Sequence, residues 1–215
     1  DVILQEHGIN DLAEFLNPTA DALIPYEKLK NIDKAWYKLS VALDNGKSVL
    51  VIADTDTDGC TAGAIMYRYL KQFTDSVKIT INEGKEHGIE DFDMSICDAD
   101  VVIIVDSINK AEEYDKFTTQ GKEVIVLDHH IPPSPIEEYD NITLVSSANS
   151  YPNSELSGAG VTWKFCKYCD FQWLTDYADD LIDLAATGII ADMCDMSVPE
   201  NRYICNTGFK NLQNT

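Results

Sequence analysis

Long apolar runs are missing from this sequence of 215 residues. No run approaches the roughly 20 apolar residues that a membrane-spanning helix needs, and no basic segment followed by an apolar one opens the chain. We therefore expect no contact with a membrane and a location in the cytoplasm. Apolar residues still make up 45% of the chain, which is enough for the core of one large domain.

Positive charge is also scarce. Lys and Arg total 16 against 37 Asp and Glu, which leaves a net charge of −21. Such a surplus argues against a broad phosphate-binding surface, because it repels phosphate groups. It is compatible with a site for divalent cations. An acidic protein can still act on nucleic acid where metal ions and a few local cations make the contact.

A disulfide framework is the third absence. The six cysteines are scattered and mostly lie inside apolar segments, which is typical of reduced thiols. Cys166 and Cys169 form a C-x-x-C pair, and no second pair accompanies it. Zinc binding and redox chemistry are alternatives there, but one face of a helix is the favoured interpretation.

The chain does contain an alternation of short apolar strands with helical segments. Strands are predicted at 48–53, 77–81, 101–105, 123–127 and 142–145. Helices are predicted at 27–45, 60–73 and 110–119, and helical spacing returns after 157 and continues to the end. This alternation predicts an α/β fold with a mostly parallel five-stranded sheet flanked by helices.

We expect this fold to form a single domain over residues 1–215. Its parts would be a helical lead-in (1–46), an α/β core (47–150) and a helical C-terminal part (151–215).

Three of the predicted strands run directly into acidic residues. The residues that follow the first, third and fourth strands are Asp54, Asp56 and Asp58, then Asp106, then Asp128, His129 and His130. Sites in parallel α/β sheets form at the carboxyl ends of the strands. We therefore expect these side chains to converge at one edge of the sheet, although they are far apart in sequence.

The alternative for any one of these acids is a helix N-cap or a turn residue. Asp58, which precedes Gly59, fits that alternative when it is taken alone. The joint pattern is harder to explain in this way, because five converging acids repel one another unless cations neutralise them. Oxygen and imidazole ligands suit Mn²⁺, with Mg²⁺ as the alternative. The sequence therefore predicts a metal site.

A further acid follows from helical spacing. An apolar stripe runs through the segment 181–189, and Asp192 continues that stripe. A carboxylate on a buried face needs a partner. Asp192 is therefore either a buried helix cap or a further metal ligand.

Four motifs in chain order resemble those of the DHH phosphoesterase superfamily. They are DTDTDG (54–59), VDS (105–107), DHH (128–130) and TGIIADM (187–193). The chain as a whole is most similar to the RecJ branch of single-strand-specific 5′-to-3′ exonucleases. The segments FLNP (15–18) and LSGAGVTWKF (156–165), and the tail from 200 onwards, extend the resemblance over nearly the whole chain.

The resemblance implies a centre that holds two Mn²⁺ ions. Asp56 and Asp58 would each bind one ion, and Asp106 would bridge the two. Asp54 is the additional acid typical of the RecJ branch. Asp192 would complete the coordination of the first metal.

The resemblance also assigns roles around the metals. His129 would be a ligand, and Asp128 would orient it. His130 would contact the scissile phosphate. Gly158 and Gly160 would let the backbone approach the substrate or a neighbouring helix closely.

The chain departs from the family pattern at three places. Ile52 stands where the family commonly has a histidine, so that one metal is held more weakly or Asp54 takes that place. The segment 82–89 offers only Lys85 and His87 with its following glycine, where the family usually has a basic residue and Gly-Tyr-Gly. Ser107 and Ile108 follow Asp106, where the family often has Cys or Asn and then Gly. These departures leave the chemistry in place and concern how a strand is handled.

The function implied by the resemblance is hydrolysis of single-stranded DNA from the 5′ end by a two-metal mechanism, in a bacterium or a phage-infected bacterial cell. A second, DHH-associated domain would accompany it, and no part of this chain resembles that domain. One alternative keeps the chemistry but acts on short oligonucleotides or cyclic dinucleotides. Another is a catalytically inactive scaffold of replication or repair, which ranks below the enzyme because the acids and histidines of the motifs are present.

Overall fold

Five strands form one sheet in the computed structural model, which describes residues 2–6, 9, 11–82, 88–135, 139, 142–148 and 150–212. The strands are β1 (Val49–Ala53), β2 (Val77–Ile81), β3 (Val101–Val105), β4 (Glu123–Asp128) and β5 (Thr143–Ser146). They lie in the order β2-β1-β3-β4-β5, and every neighbouring pair is parallel. The predicted α/β fold with a five-stranded parallel sheet is confirmed.

The register of the sheet places the acidic residues that follow β1, β3 and β4 side by side at its carboxyl end. Strands β1 and β3 are buried along their whole length, as near-continuous apolar strands of parallel sheets are. Ala53 lies beside Val105, and Val105 lies beside Leu127. The next residue of each of these strands is an aspartate, so three carboxylates leave the sheet side by side.

The described helices occur in both halves of the chain and are 4 to 16 residues long. Those described are α1 (Val2–Glu6), α2 (Leu12–Leu16), α3 (Ile32–Asp44), α4 (Thr57–Leu70), α5 (Asp115–Thr118), α6 (Gly158–Trp173), α7 (Ile182–Ala191) and α8 (Pro199–Leu212). Turns of 3-10 helix occur at Ala20–Ala22, Tyr26–Lys28, Met94–Ile96, Ala111–Tyr114 and Asp179–Leu181. Every helix in the described part of the chain is too short or too polar to span a bilayer.

Apolar clusters cover both faces of the sheet. The larger cluster joins alternate residues of β1, such as Val49 and Val51, to α3, α4, α6 and α7. The smaller cluster joins the intervening residues Leu50 and Ile52 to Phe117 of α5 and its neighbours. Burial on both faces leaves the carboxyl edge of the sheet as the place where polar side chains can gather.

Three predicted helices differ from the observed ones. The helix expected at 27–45 begins at Ile32, because Asn31 adopts a left-handed φ of 65° after a 3-10 turn. The helix expected at 60–73 begins at Thr57, because the Asp56 carboxylate caps it by accepting a hydrogen bond from Gly59 N at 2.8 Å. The segment 110–119 forms a 3-10 turn and a single α-helical turn rather than a continuous helix.

A buried ion pair joins the lead-in to the C-terminal helices. Lys164 of α6 donates to Glu200 Oε1 of α8 at 2.5 Å and to the carbonyl of Ile24 at 2.5 Å. Glu200 also accepts from Ile24 N at 2.9 Å and from the Tyr151 hydroxyl at 2.9 Å. Burial lowers the pKa of Lys164, although Glu200 opposes that effect. The pair therefore holds segments that are far apart in the sequence.

Replacement of Lys164 by Met should lower the free energy of unfolding by about 3–5 kcal/mol, because it leaves the Glu200 carboxylate buried without its cation. Lys167→Met is the matched control, since Lys167 lies on the same helix and pairs with Asp179 at 2.5 Å in a more exposed position. The control should lose less than about 1 kcal/mol. Urea denaturation followed by tryptophan fluorescence measures both, and equal losses would contradict the assigned role of the buried pair.

Candidate metal centre

The eight acids and histidines singled out in the sequence lie together at the carboxyl end of the sheet. They form three groups in which the possible ligand atoms lie within 4.8 Å of one another. The groups are Asp54, Asp56 and Asp106; Asp58, His129 and Asp192; and Asp106, Asp128, His129 and His130. Because Asp106 and His129 each belong to two groups, the three form one continuous centre.

Asp58 is held by the start of another helix. It lies in the first turn of α4 and is buried, and its carboxylate accepts from Gly158 N at 2.7 Å and Ala159 N at 3.1 Å. A helix N-terminus stabilises a negative charge, because its first amides lack partners within the helix. Sequence reasoning missed this contact. The feature of the sequence that could have indicated this contact is Ser157, which caps α6 and marks where the free amides of the helix begin.

Asp106 is the most strongly perturbed group of the centre. Its φ of 56° is left-handed, which is uncommon for a residue other than glycine. The side chain is buried, and its Oδ1 accepts no hydrogen bond from the described residues. Burial, and then the charges of Asp58, Asp128 and Asp56, raise the pKa of Asp106 to about 10. A buried carboxylate oxygen without a hydrogen bond is suited to a cation.

The two histidines face different partners. His129 Nε2 lies 3.3 Å from Asp106 Oδ1, and His129 Nδ1 lies 3.8 Å from Asp192 Oδ2. His130 Nδ1 lies 2.9 Å from Asp128 Oδ1, and this hydrogen bond raises the pKa of His130. Asp128 also accepts from the backbone N of His129 at 2.6 Å. Asp128 therefore fixes the backbone of His129 and the ring of His130.

Asp192 reaches the centre from the surface. The prediction that it continues a buried stripe is wrong, because α7 ends at Ala191 and the Asp192 side chain is 35% exposed. The carboxylate still turns toward His129, and it accepts a hydrogen bond from the Cys194 thiol at 3.5 Å. Its position at the end of α7, rather than a buried face, brings it into the centre.

Two glycines let helices approach the carboxylates. A Cβ on Gly158 would lie 2.7 Å from Asp106 Cγ, and a Cβ on Gly188 would overlap Asp58 Oδ1. Gly188 lies in the TGIIADM motif, and sequence reasoning gave it no role. Gly160 contacts Leu156 instead, and its N–H donates to the capping Ser157 hydroxyl at 3.2 Å.

Ile52, singled out in the sequence, lies away from these contacts. Ile52 is 1% exposed within the smaller apolar cluster, so its side chain packs in the core. Lys85 and His87 lie outside the described residues.

The donor set fits a divalent cation. Carboxylate oxygens and imidazole nitrogens are ligands that Mn²⁺ and Mg²⁺ accept. Asp106 Oδ1 and Asp128 Oδ2 are buried and accept no hydrogen bond from the described residues. Acids this close oppose each other's ionisation, and cations remove that opposition.

Comparison with known proteins identifies the family of the chain. The family model "DHH family, N-terminal domain" matches residues 48–189. A prophage-derived protein of Bacillus subtilis, provisionally named single-strand DNA-specific exonuclease YorK, is 36% identical over 214 residues, which is 98% of this chain and 37% of that protein.

Two solved structures are similar over 99% of this chain. They are crystal structures of RecJ from Thermus thermophilus in complex with Mn²⁺ (TM-score 0.81, 27% identity) and with Mg²⁺ (TM-score 0.70, 25% identity). The match covers 31% and 27% of those chains, so this chain spans less than half the length of its relatives. The match of the family model to more than half of the sequence shows that the chain belongs to the DHH family.

Proposed function

We propose that this chain is the catalytic part of a phosphodiester hydrolase that degrades single-stranded DNA from the 5′ end with two divalent cations, Mn²⁺ in preference to Mg²⁺. The observation that carries the proposal is the buried Asp106 carboxylate. It lies between two groups of ligands and has an oxygen that accepts no hydrogen bond from the described residues. The relatives named as single-strand-specific exonucleases support the choice of substrate.

The grouping of the ligands supports two ions rather than one. Asp56 belongs to one group and Asp58 to another, so each would hold a different ion. Asp106 would be shared between the ions, and Asp54, His129 and Asp192 would complete them. When bound, the cations would neutralise charge on the phosphoryl oxygens and supply a nucleophilic water at neutral pH.

His130 has the properties of a group that binds the phosphate. Its side chain is 55% exposed, in contrast to the 14% of His129, so substrate can reach it. Asp128 accepts a hydrogen bond from its Nδ1 and so raises its pKa, which favours the protonated form of the ring. A protonated imidazole would hydrogen-bond the scissile phosphate through Nε2 or donate a proton to the leaving oxygen.

We further propose that residues 1–215 act as one domain and that a second, DHH-associated domain with a basic surface completes the protein. The relatives are much longer than this chain. The net charge of −21 opposes long-range attraction of DNA. The chain alone should therefore cleave single strands with weak binding and little processivity.

The function is tested with a labelled single strand in Mn²⁺. Strands that carry the label at the 5′ or the 3′ end, each with and without a 5′ phosphate, are digested beside a cyclic dinucleotide. Immediate release of the 5′ label as mononucleotide, with gradual shortening of the 3′-labelled strand, is the expected result. Cleavage of the cyclic dinucleotide alone would favour the small-substrate alternative, and cleavage of none would favour the scaffold.

Asp106→Asn should reduce hydrolysis at least about a hundredfold, since it removes the charge that both ions would share. The same change should stabilise the metal-free protein at pH 7 by at least about 1 kcal/mol, because one unit of pKa shift corresponds to about 1.4 kcal/mol. Between pH 3.8, the usual pKa of an aspartate, and about pH 10, the Asp106 carboxyl is protonated in the folded state and ionised in the unfolded state. Stability of the metal-free wild type should therefore fall as pH rises through this range, and less so in the variant.

Thermal denaturation in EDTA at pH 5, 7 and 9 measures this effect beside the activity assay. Asp100→Asn is the control at the opposite end of β3. Hydrogen bonds from Ser48 lower the pKa of Asp100, so its loss should not raise stability. Activity of Asp106→Asn within tenfold of wild type would rule out the shared-ligand role.

His129→Ala and His130→Ala should respond differently to metal. The first loses a ligand, so higher Mn²⁺ should restore part of its activity. The second loses a contact to the phosphate, so higher Mn²⁺ should not restore it. Initial rates over a range of Mn²⁺ concentrations distinguish the two, and parallel responses would show that the division of roles is wrong.

A further inference from the structure

Two apolar side chains stand in solvent at the edge of the metal centre. Ile131 directly follows His130 and is 86% exposed, and Met193 directly follows Asp192 and is 88% exposed. Scattered apolar residues are ordinary on protein surfaces. These two differ because each is the chain neighbour of a site residue, and the two segments meet where His129 Nδ1 lies 3.8 Å from Asp192 Oδ2.

The backbone holds Met193 outward. Its φ of 54° is in the left-handed region, which residues other than glycine rarely adopt. On one side Asp192 N donates to the carbonyl of Gly188 at 2.9 Å, and on the other side Cys194 is buried. Met193 cannot turn inward without displacing these neighbours. This conformation belongs to the C-terminal cap of α7, in which Met193 N donates to the carbonyl of Ile190 and Cys194 N donates to the carbonyl of Ile189, both at 3.1 Å. The cap fixes the backbone at Met193 and leaves its side chain in solvent beside Asp192.

Ile131 is held by a different device. It precedes Pro132 and Pro133, and a residue before proline is restricted to extended conformations. On its other side, Asp128 Oδ1 accepts from His130 N at 3.2 Å and lies 2.9 Å from His130 Nδ1. Because the backbone on both sides of Ile131 is constrained, binding a partner there costs little conformational entropy.

The chemistry of the proposed substrate indicates the partner. The net charge of −21 disfavours contacts between the chain and the phosphates of DNA, apart from those that bound metal ions would make. The faces of the nucleobases are the uncharged part of single-stranded DNA, and packing on them tolerates any sequence. A methionine sulfur also makes favourable contacts with aromatic rings.

We propose that Ile131 and Met193 pack against the nucleobase next to the scissile phosphate and so position the strand in the centre. This inference rests on the proposed function. It makes the two residues positioning groups, which touch a base rather than the reacting atoms. The contact is apolar, so salt should weaken it little, and it should show little preference among bases.

The test combines protein variants with strands that lack a base. The 215-residue chain and its Ile131→Ala, Met193→Ala and double variants are assayed in Mn²⁺ on a labelled single strand and on the same strand with abasic residues flanking the scissile phosphate. Leu174→Ala is the matched control. Leu174 is 91% exposed and has a left-handed φ of 57°, but it caps the end of α6 opposite to the end that meets Asp58.

The double variant should raise KM on the ordinary strand by about fivefold to fiftyfold, on the scale of losing one base contact. It should leave kcat and the Mn²⁺ requirement nearly unchanged. On the abasic strand, the wild type and the double variant should have the same KM, because the contact is already absent. Leu174→Ala should behave as the wild type on both strands.

Several results would overturn the proposal. They are an unchanged KM on the ordinary strand, an equal increase on both strands, or an equal effect of Leu174→Ala. If the wild type cleaves both strands alike and the variants match it, the base contact alone is wrong. If the wild type cleaves neither strand, the proposed function fails, and this inference fails with it.

Discussion

The concentration of negative charge at the carboxyl end of the sheet is the constraint on which the rest of the structure depends. Parallel pairing in register brings the ends of β1, β3 and β4 to one level, so Asp54, Asp106 and Asp128 leave the sheet side by side. The amides at the start of α6 neutralise part of this charge at Asp58. Asp106 Oδ1 accepts no hydrogen bond from the described residues, and burial and the neighbouring carboxylates raise the pKa of Asp106.

The helices around the centre are arranged to tolerate this crowding. Gly158 lets α6 approach Asp106, and Gly188 lets α7 approach Asp58, because neither carries a Cβ at the point of contact. The buried pair of Lys164 and Glu200 then ties α6 and α8 to the lead-in at Ile24. The two glycines therefore allow α6 and α7 to lie close to the carboxylates, and the buried ion pair attaches α6 and α8 to the lead-in. A cation at the centre would convert the remaining repulsion into attraction.

Sequence reasoning predicted the strands well, since five short apolar runs bounded by polar residues have few other folds available. The acids that follow them could be placed for the same reason. Helix starts were less predictable, because they depend on single backbone angles such as the left-handed Asn31 and on caps such as Asp56. The exposure of Asp192 could not be predicted, since periodicity does not show where α7 ends. The contact of Asp58 with α6 joins residues 100 positions apart, and no local pattern encodes it.

The most direct test of the metal centre is a calorimetric titration of the metal-free chain with Mn²⁺ at pH 7 in two buffers of different ionisation enthalpy. The structure predicts saturable binding. It also predicts that protons are released on binding, because Asp106 keeps its proton in the metal-free fold and a ligand must be deprotonated. The heat should therefore differ between the buffers. Heat of dilution alone, at Mn²⁺ far in excess of the folded protein, would contradict the claim that these carboxylates converge to hold metal.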